Sequence, residues 1–259
     1  MSDPITHRLF THPLATRALS VAIVLAAWEY AGRRPISAVF PSCSETLVAA
    51  AQMVADGSLA RALGITLAPL TLGLTISAVI GVAAGLAMGL SRRAEWLGVP
   101  LFIVLQAAPL AALIPLLVLT YGVGLTTKVL TVCILAMPAI VLNSYQAIRH
   151  APTSLVEMAQ AFLGSRLQLI AKIILPAASP VIFAGLRLGL AAGFIGIILA
   201  ELLISPTGIG DLITYHQSVA EYPRMFAAIA AVILLSALFI AFMDTLETAL
   251  FRPEQRARR

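Results

Sequence analysis

Between Ala151 and Pro180 the sequence APTSLVEMAQAFLGSRLQLIAKIILPAASP spaces its polar residues in a pattern of its own. Ser154 and Glu157 stand three residues apart, as do Ser165 and Gln168. That spacing lets the two members of a pair satisfy free backbone donors in the first turn of a helix. Leu155, Met158, Ala159 and Phe162 form one apolar stripe at helical spacing, and Leu167, Ile170 and Ile174 form a second. Gly164 can end the first helix in the left-handed conformation, and Pro176 is expected to end the second. The segment reads as a hairpin of two short capped helices. It is either a plain surface connection between apolar runs or a docking element.

Other chemistry is sparse. His7, His12, His150 and His216 lack a metal-ligand spacing, and Cys43 and Cys133 lie in a loop and in the middle of an apolar run, so neither a metal site nor a disulfide is expected. No Gly-rich phosphate loop followed by Lys-Ser or Lys-Thr occurs, and no serine-histidine or metal cluster lies in the apolar runs. The chain is expected to be no enzyme. Transport against a gradient would then draw on a partner or on an ion.

The elements that must position these residues are set by composition. Of 259 residues 60% are hydrophobic and 11% charged, against about 25% charged in soluble domains. Such a chain cannot cover a globular surface with polar groups, and it reads as an all-α integral membrane protein, one bundle in a single domain over 1–259. The net charge of +5 is scattered between apolar runs, so no nucleic-acid partner is expected.

Six apolar runs are long enough to cross a bilayer, over about 14–31, 63–90, 97–120, 125–148, 177–203 and 225–246. The first could also be a cleaved signal, but Trp28 and Tyr30 at its end favour an uncleaved span. The segment 44–54 is mildly amphipathic and is expected along the outer surface. Gly73, Gly81, Gly85 and Gly89 give the second span a smooth face for close packing. Pro100, Pro109 and Pro115 are expected to kink the third. Lys128 lies at the outer end of the fourth. Arg187 lies within the fifth span and Glu201 near its far end, and Arg187 is expected to line the pore or to pair with carbonyls freed by Pro109, Pro115 or Pro138. Eleven of the 17 Lys and Arg fall on the side of the termini and five on the other, which predicts cytoplasmic termini and a cytoplasmic hairpin.

Glu157, Ala159 and Ile174-Leu175-Pro176, with nineteen positions from the glutamate to the proline, resemble the "EAA" loop of ABC-importer permeases. The similarity continues in GLRLGLAAGFIGIILAELL, PLAALIPLLVLTYGVG and LNSYQAIR, and is closest to the nitrate, sulfonate and taurine importers. Met158 stands where the family has a second alanine and Leu163 where it has glycine, so Gly164 sits one place late and the turn geometry there is left open. The resemblance implies a type I importer permease of six transmembrane helices with cytoplasmic coupling helices in 151–176. It implies a bacterial inner-membrane protein, a homodimer of permease chains, two cytoplasmic ATPase subunits that bind ATP and Mg, and an extracytoplasmic solute-binding protein. No cofactor is expected in this chain itself. It assigns Leu155, Glu157, Ala159, Phe162, Gly164, Leu175 and Pro176 to ATPase coupling, Glu157 through its cap alone or also through a charge contact. Candidate pathway residues are Gln106, Asn143, Arg187 and Glu201. The implied solute is a small anion such as a sulfonate, taurine or nitrate; the alternative is a thiamine or riboflavin-type precursor. From another class, an ion-coupled secondary transporter would need paired ionisable residues within the membrane and a repeated half.

Overall fold

The computed structural model describes residues 13–34, 39–152, 154, 157–158, 161–162, 165–204 and 206–251. The ordered elements among them are helices, as a backbone in hydrocarbon requires, because a helix satisfies its own donors and acceptors. In chain order they are α1 (Pro13–Arg33), α2 (Cys43–Ala55), α3 (Ser58–Leu90), α4 (Arg92–Ala107), α5 (Leu110–Tyr121) and α6 (Leu125–Arg149). Then come α7 (Arg166–Leu169), a π-helical turn (Ile170–Ile174), α8 (Leu175–Ile204), α9 (Ile209–Ser218) and α10 (Tyr222–Phe251). Four helical runs, 58–90, 125–149, 167–204 and 222–249, are long and apolar enough to cross a membrane. The run expected to be the first span is the 21-residue helix α1.

Two expectations about prolines are corrected. The third span is not one kinked helix: α4 and α5 meet at 104°. Pro109 has no N–H and disfavours the helical conformation in the residue before it, and Ala108 accordingly sits at φ −64°, ψ 135°. Pro176, conversely, stops nothing. Helical structure runs unbroken from Arg166 to Ile204, because the chain widens into a π-turn just before the proline. There the Leu175 N–H bonds to the Ile170 carbonyl, one residue further back than in an α-helix, so the ladder has already changed register where the proline donor is missing.

The chain forms two compact units. In the larger, 61–211 with 232–259, α6 is the centre, with thirteen buried residues. α3 presses its glycine face onto it. A Cβ added at Gly73, Gly81, Gly85 or Gly89 would lie 2.7, 2.9, 2.5 or 2.5 Å from Val132, Ile140, Ser144 or Ile148, respectively. Both residue numbers rise together, so the two helices run parallel. On α8, Gly185 meets Asn143, Gly189 meets Ile140 and Gly196 meets the Thr131 carbonyl; these numbers run oppositely, so α8 is antiparallel to α6. Small residues allow this approach, from which dispersion contacts follow. Leu70, Val132, Leu190, Phe194 and Ile197 fill one cluster, where Phe194 meets Phe239 edge-on at 5.7 Å. Ala147, Ile148, Ile174, Ala178 and Ile182 fill a second, which seats the π-turn on the end of α6.

In the smaller unit, 1–60 with 212–231, α2 starts in a capping box: the Glu45 N–H donates to Ser42 Oγ and the Ser42 N–H to Glu45 Oε2. Glu29 accepts from the Ser44 N–H at 2.9 Å and from Ser44 Oγ at 2.8 Å, and Trp28 Nε1 donates to the Pro41 carbonyl. The C-terminal end of α1 is thereby tied to the start of α2.

The glycine faces lead to a paired test. Gly85→Val would drive methyl groups into Ser144 and the Val141 carbonyl, at a cost of about 1–3 kcal/mol. Gly64→Ala, on the same helix but with nothing within 4 Å, should be neutral or stabilise by about 0.5–1 kcal/mol. Thermal unfolding in detergent reads both, and equal midpoints would contradict the α3–α6 packing.

Candidate functional site

The hairpin's second cap forms as its spacing requires: the Ser165 N–H donates to Gln168 Oε1 at 2.9 Å and the Gln168 N–H to Ser165 Oγ at 3.3 Å. Ser154 and Glu157, both exposed, make no such pair among the described residues. Of the residues assigned to coupling, Leu155, Ala159 and Gly164 lie outside the described residues. Phe162 stands 82% exposed, with Met158 and Leu167 also exposed. Leu175 is half-buried and Pro176 exposed. The described residues of this segment thus include bare apolar side chains, and the helix that starts at Arg166 continues without interruption into α8.

A second constellation lies at the opposite end of α8. Lys128, on the first turn of α6, and Glu201, on the last turn of α8, pair at 2.9 Å with side chains 7% and 0% exposed. All three ammonium protons find acceptors, the other two being the Thr207 carbonyl and Thr207 Oγ1, each at 3.1 Å. The carboxylate also accepts from Thr66 Oγ1 of α3 and from the Gly210 N–H at 3.0 Å. Thr66 Oγ1 in turn accepts the Ile209 N–H. The turn 206–210 is therefore fastened to α3, α6 and α8 through one neutral, desolvated cluster. Gly208 is required there: at φ +96° an added Cβ would fall 2.1 Å from Glu201 Oε1.

Arg187 does not pair with proline-freed carbonyls. Its guanidinium bonds to Asp244 and, at 3.1 Å, to Glu247, both on α10. The carboxylates are the better partners, since they cancel charge as well as accept hydrogen bonds. Neither counter-ion was anticipated from the sequence, yet both Arg187 and Glu201 have one. The signal was available in kind, as opposite lone charges in neighbouring apolar runs, but not in register.

The four candidate pathway residues are not brought together. Asn143 Nδ2 donates to the Ala139 carbonyl of its own helix at 2.8 Å, and Gln106 is exposed on the last turn of α4. No hydrogen bond joins any two of the four among the described residues. At the start of α4, Glu95 accepts from the Tyr145 hydroxyl at 2.6 Å and faces Arg149 at 3.7 Å, which ties α4 to the last turn of α6.

Comparison with known proteins places this geometry. The profile of the binding-protein-dependent transport system inner membrane components matches residues 77–252. A Bacillus subtilis protein described as an aliphatic sulfonates transport permease is 28% identical, over 89% of this chain and 84% of that one. The taurine transport system permease protein of Escherichia coli is 28% identical over 86% and 82%. The riboflavin transport system permease protein of Chloroflexus aurantiacus is 35% identical over 60% and 58%. Among solved structures, the inward-facing MetNI methionine ABC transporter superposes with a TM-score of 0.63 at 20% identity, over 75% of this chain and 96% of that one.

Removing one partner of the buried pair should cost far more than removing both. Lys128→Met leaves a desolvated carboxylate without a counter-charge, an expected loss of about 3–5 kcal/mol. The Lys128→Met, Glu201→Leu double variant should recover most of it, since apolar pairs of similar volume replace buried ion pairs at little cost. Thermal unfolding of the purified variants checks this, and a single variant as stable as the unchanged chain would mean that water reaches the cluster.

Proposed function

The chain belongs to the family of binding-protein-dependent transport system inner membrane components, and from that premise we propose that two copies form the pathway of an ATP-driven importer for a small organic or inorganic anion. Members of this family are transport subunits. Two cytoplasmic ATPase subunits would bind ATP and Mg and grip the hairpins, and an extracytoplasmic binding protein would deliver the solute. The observation that carries the reading is the hairpin itself: it lies within the matched residues, bares Phe162 and Met158, and passes directly into a spanning helix. An ATPase closing on ATP would move such a helix from its exposed end, and access to the pathway would change sides with it. Sulfonate and taurine are the solutes named for two relatives that match 89% and 86% of the chain. A riboflavin-type solute is the second reading, favoured by the higher identity of the Chloroflexus relative over its shorter match. Uptake assays with the cognate binding protein and ATPase in vesicles, one solute class at a time, separate the two. Failure of both classes would reject the assignment.

Orientation follows from the eleven-to-five excess of basic residues on one side. Reporter fusions after Arg93, after Arg166 and at the C-terminus should be cytoplasmic, and fusions near Asp56, Thr126 and Gln217 should be exported. An exported C-terminus would invert the scheme.

Phe162→Ser tests the coupling role. Because the ring is 82% exposed, stability of the isolated chain should change by less than about 0.5 kcal/mol. Loss of a ring that becomes buried in a partner is worth about 1.5–3 kcal/mol, or roughly a ten- to hundredfold weaker ATPase association. Unchanged association with the ATPase would show that Phe162 is not part of the contact.

A further inference from the structure

We propose that the inner end of α4 binds an anionic phospholipid of the cytoplasmic leaflet, with Arg92 and Arg93 holding the phosphate and Trp96 and Leu97 beginning the track of an acyl chain. The inference rests on the orientation proposed above, in which α4 enters the membrane from the cytoplasm.

Four residues of one helix, Arg92, Arg93, Trp96 and Leu97, border one shallow, open hollow of the surface. Both arginines are exposed, and neither makes an ion pair among the described residues. The one acid of that turn, Glu95, does not neutralise them, because its carboxylate is turned to Tyr145 and Arg149. Among the described residues no carboxylate pairs with either guanidinium, which suits them to an anion from outside the chain. Immediately beyond them Trp96 and Leu97 stand 80% and 81% exposed. A bare indole and a bare isobutyl group are costly in water and stable at the boundary between headgroups and hydrocarbon.

The apolar surface continues along α4. Leu97, Leu101 and Val104 are all exposed and follow at intervals of about one turn, away from the arginines. From Arg92 to Val104 is about 18 Å along the helix axis, close to the roughly 15 Å of hydrocarbon in one leaflet. Positive charge at one end and an apolar stripe of leaflet length match the two parts of a phospholipid. A neighbouring protein helix would use the stripe but leave the arginines unanswered.

The chain has two tryptophans, so Trp28→Phe leaves Trp96 as the sole indole, excited selectively over the tyrosines. In phosphatidylcholine vesicles, brominated phosphatidylglycerol should quench Trp96 at about tenfold lower mole fraction than brominated phosphatidylcholine. Arg92→Gln, Arg93→Gln should make the two curves coincide while quenching itself remains. Equal quenching in the unchanged chain would overturn the proposal, as would no quenching by either lipid, which would mean that protein covers the face. Loss of the preference on adding inorganic phosphate would overturn it as a lipid site and leave a site for free anion. Should Trp28→Phe disturb folding, native mass spectrometry of the chain with both tryptophans decides the matter instead: phosphatidylglycerol should stay bound to it and leave the double arginine variant, and equal retention by both would overturn the proposal. The fusion after Arg93 separates the two ideas: export of that reporter defeats the orientation, whereas lost lipid preference with a cytoplasmic reporter defeats only the site.

Discussion

The structure depends on how closely α3 and α8 approach α6. In hydrocarbon there is no water to expel between helices, so association rests on contact area, and contact area rests on removing side chains that keep backbones apart. Glycine does this on both neighbours of α6. Because Gly73, Gly81, Gly85 and Gly89 meet Val132, Ile140, Ser144 and Ile148 in step, a slip along the helix would set β-branched side chains against one another. That register brings Thr66 of α3 to one end of α6, and Gly185, Gly189 and Gly196 of α8 bring Glu201 level with Lys128 there.

The charged residues within the spans obey the same economy of contacts. Lys128 and Glu201 are closed off from solvent with every ammonium donor satisfied, so that cluster holds a shape. Arg187 is shared between two carboxylates, one of them, Asp244, half-exposed at 55%, so that cluster is open to its surroundings. Neither leaves its cation uncommitted.

What could be read from the sequence is what depends on neighbours a few residues apart. The long helices, the glycine face of α3 and the Ser165–Gln168 cap are local periodicities, and all three stand in the structure. The pairs Lys128–Glu201 and Arg187–Asp244 are 73 and 57 residues apart, and nothing local states the register that joins them. The prolines misled for a related reason. Pro109 and Pro176 carry the same chemistry, yet one breaks a helix and the other does not, because the turn before Pro176 is packed against Ala147 and Ile148 and can widen in place. The coupling residues Leu155, Ala159 and Gly164 rest on the family resemblance alone.

The unbroken run from Arg166 to Ile204 has a mechanical meaning. Its tightest contact with α6 is around Gly189, about 35 Å from the hairpin end and about 22 Å from the far end at the usual helical rise. It is a lever with unequal arms, and a tilt of about 10° would carry the hairpin end about 6 Å and the Glu201 end about 4 Å by the same rise. Yet the short arm is fastened at Glu201 to Lys128 and Thr66, and the fulcrum is a row of glycines with no slack. A force on the long arm would therefore load α3 and α6 as well, through the glycine contacts and the Glu201 cluster.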